Sequence, residues 1–407
     1  MNSTLLDEKL SREDKPWLKE KDTRGRLSWW AVLLCLILGL GISGVIIWRG
    51  WVAAGEEMIP DSQLCSVFSD DFSSLDVDSG GTWARDVELG GFGNGVFQMA
   101  TASDSNLYLK NNQLYIMPTL TSDSIGSDSV FDGYTFDLGD ACTTDNTTAC
   151  SVTSDSSTDT VVQPVQSARI TTKSSYSIKY GKVTVKAKLP LGDWLWPSIT
   201  MLPVENVYGD GYLSGQIDIM QARGNGPSYT AQGSNYVRSI LTYGPLSNLL
   251  AKSYGWQNVK QTSYDQGFHT YTIEWTENFI KSYVDSRLTA MLALKVCSGG
   301  KSFWERGDFP TTATNGTSGI EVVVQDIWSN GTNAAPFDQN FYLVLDLAVG
   351  GTTGWFPDAT GDKPWYDSSI TAMTDFAEQQ STWSATWSDD DDSRAFRIAS
   401  VDMWSLC

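Results

Sequence analysis

SGQIDIMQARGN, Ser214 to Asn225, decides how the chain reads. Gln216 and Asp218 stand two residues apart, so in a β-strand both project from one face. Gln221 lies five residues beyond Gln216 and in a regular strand points the other way. One extra residue near Ile219–Met220, a β-bulge, returns it to the same side. Three polar side chains on one face of a strand otherwise built from Ile and Met line a groove. A β-sandwich with a concave, water-filled face supplies one.

The surrounding sequence stays β-like. KVTVKAKLP (Lys182 to Pro190) alternates apolar and polar residues with period two, as a half-exposed strand does. YTIEW (Tyr271 to Trp275) and KSYVDSR (Lys281 to Arg287) repeat the pattern. FYLVLDLAV (Phe341 to Val349) is almost wholly apolar and predicts a strand buried on both faces, and FRIASVDMW (Phe396 to Trp404) closes the series. Residues 121–165, rich in Ser, Thr and Asp, predict a long surface excursion. Many short strands without alternating helices predict an all-β fold, a concanavalin-like β-jelly-roll sandwich, in one domain over residues 65–407.

Lys and Arg total 28 against 48 Asp and Glu, a formal charge of −20 that excludes a nucleic-acid partner. With 17 Trp, 16 Tyr and 15 Phe, the composition suits neutral ligands that stack, such as sugars, as well as a large aromatic core. The DDDD run (Asp389 to Asp392) lacks the alternate spacing of a calcium loop and predicts a solvated loop. No metal-ligand spacing, dinucleotide fingerprint or P-loop occurs, so no cofactor is expected.

WWAVLLCLILGLGISGVIIW, Trp29 to Trp48, is 20 residues without a charge and with Trp at both ends. A helix of that length rises about 30 Å and crosses a bilayer's hydrocarbon core. A signal peptide has a shorter apolar core and small residues at its cleavage site. Lys9, Arg12, Lys15, Lys19, Lys21, Arg24 and Arg26 precede the span, and Glu56, Glu57 and Asp61 follow Arg49. The positive-inside rule then predicts a single-pass type II protein with a cytoplasmic tail over residues 1–28, an anchor over 29–48, a stalk over 49–64 and a lumenal or extracellular domain beyond. N-glycosylation triplets at Asn146, Asn315 and Asn330 all fall on that far side. Cysteines there meet an oxidising compartment. Spacing does not fix connectivity. The expected pairs are Cys142 with Cys150, around a short loop, and Cys65 with Cys407, tying the two ends of the domain. Cys297 is left over, and Cys35 sits in the apolar span as a free thiol.

QIDIMQ resembles the E-I-D-I-M-E motif of family-16 glycoside hydrolases, with Gln at both Glu positions. The likeness extends through QSARITTKSSYSIKYGKVTVKAKLPLGDWLWPSITMLP (Gln166 to Pro203), GFHTYTIEWTENFIKSYVDS (Gly267 to Ser286), FWERGDFP (Phe303 to Pro310), LAVGGTTGWFPD (Leu347 to Asp358) and KPWYDSS (Lys363 to Ser369). More narrowly, the chain resembles the membrane-anchored fungal branch of β-glucan-synthesis-associated, killer-toxin-resistance proteins. The resemblance covers residues 65–407. It implies a jelly-roll with a sugar cleft on its concave face, β-glucan as ligand and a cell-wall synthesis complex as partner. In that family the first Glu is the nucleophile, the last is the general acid/base, and the Asp between them tunes the pair.

Here those positions are Gln216, Asp218 and Gln221. A retaining glycosidase needs two carboxyl groups about 5–5.5 Å apart. A neutral amide is a very poor nucleophile, and Gln221 has no acidic proton to donate. Thr200 stands where the branch has Trp, GYLSGQ (Gly211 to Gln216) replaces a W-P-x-S-G-E run, and Asp346 takes the place of an expected Asn. Such scattered changes fit natural divergence after catalysis was relaxed. For sugar binding, Trp194, Trp196, Trp275 and Trp355 offer flat faces, while Arg223, Asn225 and His269 offer hydrogen bonds to hydroxyls. Core packing is the competing role for each aromatic, above all mid-strand Trp275. Three functions follow: a membrane-anchored β-glucan binder in wall assembly that has lost hydrolysis, an active glucan hydrolase or transglycosylase drawing a carboxylate from another loop, or a structural partner of a synthase complex.

Overall fold

The computed structural model describes residues 11, 13–16, 22–77, 80–296, 301–316 and 318–407. It forms two compact units, one ending at Met58 and one spanning Ile59–Cys407. In the first, helix α1 (Thr23–Glu56) is the one described helix long and apolar enough to cross a bilayer, with mean hydropathy 2.6 over its candidate span. It extends beyond the apolar run at both ends, through part of the segment expected as a stalk.

The second unit is a β-sandwich. Its strands are β1 (Leu64–Asp70), β2 (Arg169–Thr171), β3 (Gly181–Lys188), β4 (Leu195–Pro203), β5 (Gln216–Ala222), β6 (Tyr236–Leu246), β7 (Leu249–Asn258), β8 (His269–Trp275), β9 (Phe279–Val284), β10 (Ala290–Lys295), β11 (Phe341–Val349) and β12 (Phe396–Leu406), with shorter pieces at the edges. Among the described residues they form two eight-stranded sheets. One runs β7-β6-β5-β4-β11-β2, and the other β10-β9-β8-β3-β12 with β1 beside β12. Among the described residues, every strand pairing within the two sheets is antiparallel.

Side-chain alternation explains the layering. In β3, Val183, Val185 and Ala187 are fully buried while the residues between them are partly or fully exposed, as the period-two pattern predicts. They meet Ile199, Met201, Ile217 and Leu241 from the facing sheet in one core. β11 is buried along its whole length, in keeping with its apolar run. β8 departs from expectation: Tyr271 to Trp275 is buried throughout. Its polar member Glu274 is fully buried and accepts hydrogen bonds from the Tyr283 hydroxyl (2.6 Å), Arg287 Nε (2.8 Å) and the Ile59 amide (3.1 Å).

Both expected disulfides are present, Cys65–Cys407 and Cys142–Cys150. The first closes the pairing of β1 with β12, so first and last strands are held by a ladder and a covalent link. Cys35 is unpaired and exposed, whereas Cys297 lies outside the described residues. Asn146 and Asn330 are exposed and Asn315 is partly so, with Thr317 of its triplet outside the described residues. The DDDD run is less free than a solvated loop: Asp392 accepts from the Tyr115 hydroxyl at 2.7 Å and pairs with Lys110 at 3.4 Å. Among the described residues, no acid, His or Cys cluster suits a metal ion.

Candidate active-site groove

Register builds the site. Residues opposite one another in an antiparallel ladder share a face, so each row across the sheet lines one stripe of the surface. One row reads Arg169, Asp346, Ser198, Gln221, Arg238 and Trp256 across β2, β11, β4, β5, β6 and β7. Five strand spacings make it about 24 Å long. The next row carries Val344, Thr200, Asp218, Ile240 and Tyr254. A third places Gln216, Thr242 and Lys252 side by side.

The bulge expected near Ile219–Met220 is what brings Gln221 into line. Ile219 and Met220 fall between the Asp218 and Gln221 pairings on both neighbouring strands. Both are fully buried. Carbonyls displaced by a bulge need new donors. Ser239 Oγ supplies one to Asp218 O (2.9 Å), and Ser282 Oγ, from the other sheet, supplies one to Ile219 O (3.1 Å). Gly215 feeds the strand at φ +79°, where a Cβ would also press on Pro336 and Phe337.

Two adjoining cavities, of about 420 and 330 Å³, share Trp196, Gln216, Asp218 and Gln221 on their walls. They form one groove with the motif at its middle. Asp218 is 2% exposed and held by Thr200 Oγ1 (2.7 Å) and Gln216 Nε2 (2.9 and 3.1 Å). An ionised carboxylate only accepts, so the Gln216 amide must turn its NH₂ toward it. Burial pushes the Asp218 carboxyl up, and the bonds from Thr200 and Gln216, the Arg238 charge and Gln221 oppose that. Gln221 Oε1 accepts from Arg238 Nη2 at 2.6 Å. A guanidinium only donates, which fixes the oxygen of Gln221 on that side. The family's nucleophile and acid positions are thus two amides strung between a carboxylate and a guanidinium.

Asp346 is the other carboxylate on the groove wall. Its row and the Asp218 row are two residues apart along β4, and β4 lies between their strands. Ladder spacing therefore separates them by about 12 Å. Retaining pairs need about 5–5.5 Å and inverting pairs about 6.5–9.5 Å. Asp346 does not complete a catalytic pair with Asp218.

Burial also pushes the Asp346 carboxyl up to about 6, with the nearby Arg169 opposing. Its folded-state value lies above the ordinary value of about 3.9. The folded state then holds the proton more tightly, and stability falls as pH rises from about 4 to about 6. Asp346→Asn removes that cost. The variant is expected to be more stable than the parent by on the order of 2 kcal/mol at pH 7.5 and nearly equal at pH 4. Denaturant melts at the two pH values check this, and an equal difference at both refutes it.

The other predicted residues divide. Trp196 lines both cavities and stacks on Trp355 (centroids 5.2 Å apart, 21° between planes). Trp355 lies parallel to Trp256 at 5.9 Å and 3°. Arg223 packs on Trp355 at 4.1 Å but points Nε at the Trp355 carbonyl (2.9 Å) and Nη1 at the Ala231 and Gln232 carbonyls, so it holds the loop under the aromatic wall. Asn225 is buried and bonds Asp193 (3.0 Å) and the Trp194 amide (3.3 Å), pinning a turn. Trp194 is 1% exposed and edge-on to Phe356 and Trp365. Trp275 is in the core. His269 belongs to the other sheet, bonded to Asp285 (2.8 Å) and packed on Tyr264. Trp194, Arg223, Asn225, Trp275 and His269 therefore line neither cavity. Arg238, Lys252, Tyr212 and Asn94, which line the smaller cavity, were missed. The alternation in YVRSILTY (Tyr236 to Tyr243) was the available signal, since it sets Arg238 and Thr242 on one face.

A sequence model of the glycosyl hydrolases family 16 matches residues 139–320. A β-1,3-glucan-binding protein of Penaeus monodon is 36% identical over 84% of this chain and 90% of its own length. The chain belongs to glycosyl hydrolase family 16. β-1,3-Glucan-binding protein 1 of Manduca sexta is 30% identical over 79% of this chain, which spans 61% of that longer protein. In fold, the chain is similar to the Rhodothermus marinus laminarinase, with a TM-score of 0.52 at 22% identity over 84% of this chain and 98% of that one. These curated relatives are invertebrate proteins, and they lend no support to the expected fungal wall-synthesis branch.

Proposed function

We propose that the protein is a β-1,3-glucan receptor whose groove binds the polysaccharide without cleaving it. The single observation that carries this reading is the Asp218–Gln221–Arg238 arrangement. The sugar groove is kept, but neither side of a scissile bond meets an ionisable oxygen at the family's positions. Trp196 and Trp355 give the groove an aromatic wall for the apolar parts of a sugar to meet. The names of the relatives point to the same ligand and favour recognition over wall assembly.

Membrane attachment is part of the proposal. Helix α1, the basic residues before it and the disulfides after it support a type II topology, with residues 1–28 cytoplasmic and the family-16 domain in an oxidising compartment or outside the cell. Asn146 and Asn330 are then open to glycosylation.

The test is to titrate the full chain, purified in detergent, with laminarin by calorimetry and to assay the same mixture for reducing ends. Binding heat without reducing-end release is the expected result. Sustained release by the unaltered protein overturns the reading, as does absence of binding by a folded sample.

A further inference from the structure

Resting on the reading of the groove as a glucan site, we infer that its β6–β7 half seats an oxyanion on the glycan, a carboxylate or a sulfate ester, so that an acidic glucan is preferred to a neutral one. The smaller cavity is lined by Arg238 and Lys252. Its only carboxylate is Asp218, which is buried and already held by Thr200 and Gln216. Arg238 makes no ion pair among the described residues. Its one side-chain hydrogen bond goes to Gln221, and its Nε is buried without a partner. The guanidinium lies 4.2 Å from the Trp355 ring centre and 5.4 Å from that of Trp256. Lys252 is exposed and has no partner among the described residues.

The two ends of the groove differ. Arg169, at the far end, is neutralised by Asp86 at 3.0 Å and faces Asp346 across the ladder. Lys173, exposed on the larger cavity's wall beside Arg169, has no acidic partner among the described residues either, so what distinguishes the β6–β7 side is that Arg238 and Lys252 share one cavity whose acid, Asp218, is buried. A neutral sugar above Gln221 would strip water from Arg238 and return only weak hydroxyl contacts, whereas an oxyanion offers the guanidinium a charge-assisted bond. Replacing two acids by amides removes the charge that would have repelled such a ligand. The chain as a whole carries −20, so long-range forces oppose an anion. Any preference for one must arise locally, and substitution of Arg238 and Lys252 tests whether these two cations supply it.

The test compares the affinities of the full chain, purified in detergent, for laminarin, laminarin oxidised to the carboxylate at C6, and laminarin sulfate. The expected result is at least about tenfold tighter binding of one or both acidic forms. Which form binds more tightly identifies the anion. Arg238→Gln and, separately, Lys252→Gln are each expected to bring the acidic-to-neutral ratio toward one. Circular dichroism verifies folding, and exposed Lys252 serves where Arg238→Gln does not fold. Equal affinity for neutral and acidic forms overturns the inference and leaves glucan binding standing. A preference that survives both substitutions, or equally tight binding of polygalacturonate, overturns it too. Failure of all three glucans to bind removes the glucan reading itself.

Discussion

Returning both amides to glutamate, Gln216→Glu with Gln221→Glu, is expected to leave the protein near the uncatalysed baseline on laminarin. Adding Arg238→Leu is expected to raise turnover by about 10²–10⁴-fold over that double variant. The reason is the 2.6 Å contact between Arg238 and position 221. A glutamate there would form an ion pair, and an adjacent guanidinium lowers a carboxyl pKa by about 1–3 units. A general acid needs the opposite shift, toward the working pH. Leucine at 238 removes the cation and puts an apolar wall beside the carboxyl, which favours its protonated form. Restoring the carboxylates alone therefore supplies a nucleophile without an acid. The measurement is release of reducing ends at matched saturation by laminarin. Brisk turnover by the double variant would show that Arg238 does not govern the site. A triple variant that binds laminarin and stays inactive would pass the blame to Thr200 or Asp346.

The fold was legible because its signals are local and periodic. Alternation in β3, the apolar run of β11 and the five-residue offset between Gln216 and Gln221 each demand a particular backbone, bulge included. The groove's polar floor followed from the same offset. Its partners across the sheet were not legible, because they are set by register between strands distant in sequence. Arg238 meets Gln221 only through the pairing of β5 with β6, and no spacing in one strand reveals it. Trp194 and Trp196 show the same limit. They sit two apart in DWLW, yet Trp194 takes φ +68° in the turn before β4 and drops into the core, while Trp196 rides the strand and faces the groove. His269 has a ring able to bond hydroxyls, but side-chain chemistry carries no information about which sheet a strand joins.

That contrast gives the second large effect. Trp355→Ala is expected to weaken laminarin binding at least about 30-fold, as loss of a central aromatic anchor does. Trp194→Ala is expected to leave the affinity of the folded protein within about threefold while lowering stability by about 3–5 kcal/mol. Both rings are almost fully buried, at 4% and 1%, so exposure alone does not separate them. Position does. Trp355 has Trp196 and Trp256 stacked beside it and both guanidinium groups within 4.2 Å, and it lines the cavity next to Gln221. Its removal takes away part of the groove wall and the surface on which Arg238 rests. Trp194 touches Tyr229, Phe356 and Trp365, none of which lines the groove. Calorimetry with laminarin and a urea melt on each variant separate the two effects. Trp355→Phe, which keeps a flat face, is expected to recover part of the lost affinity and guards against a folding defect in the alanine variant. Equal losses of affinity from folded Trp194→Ala and Trp355→Ala would mean that sugar contact reaches the core side of β4, and the groove assigned here would be the wrong one.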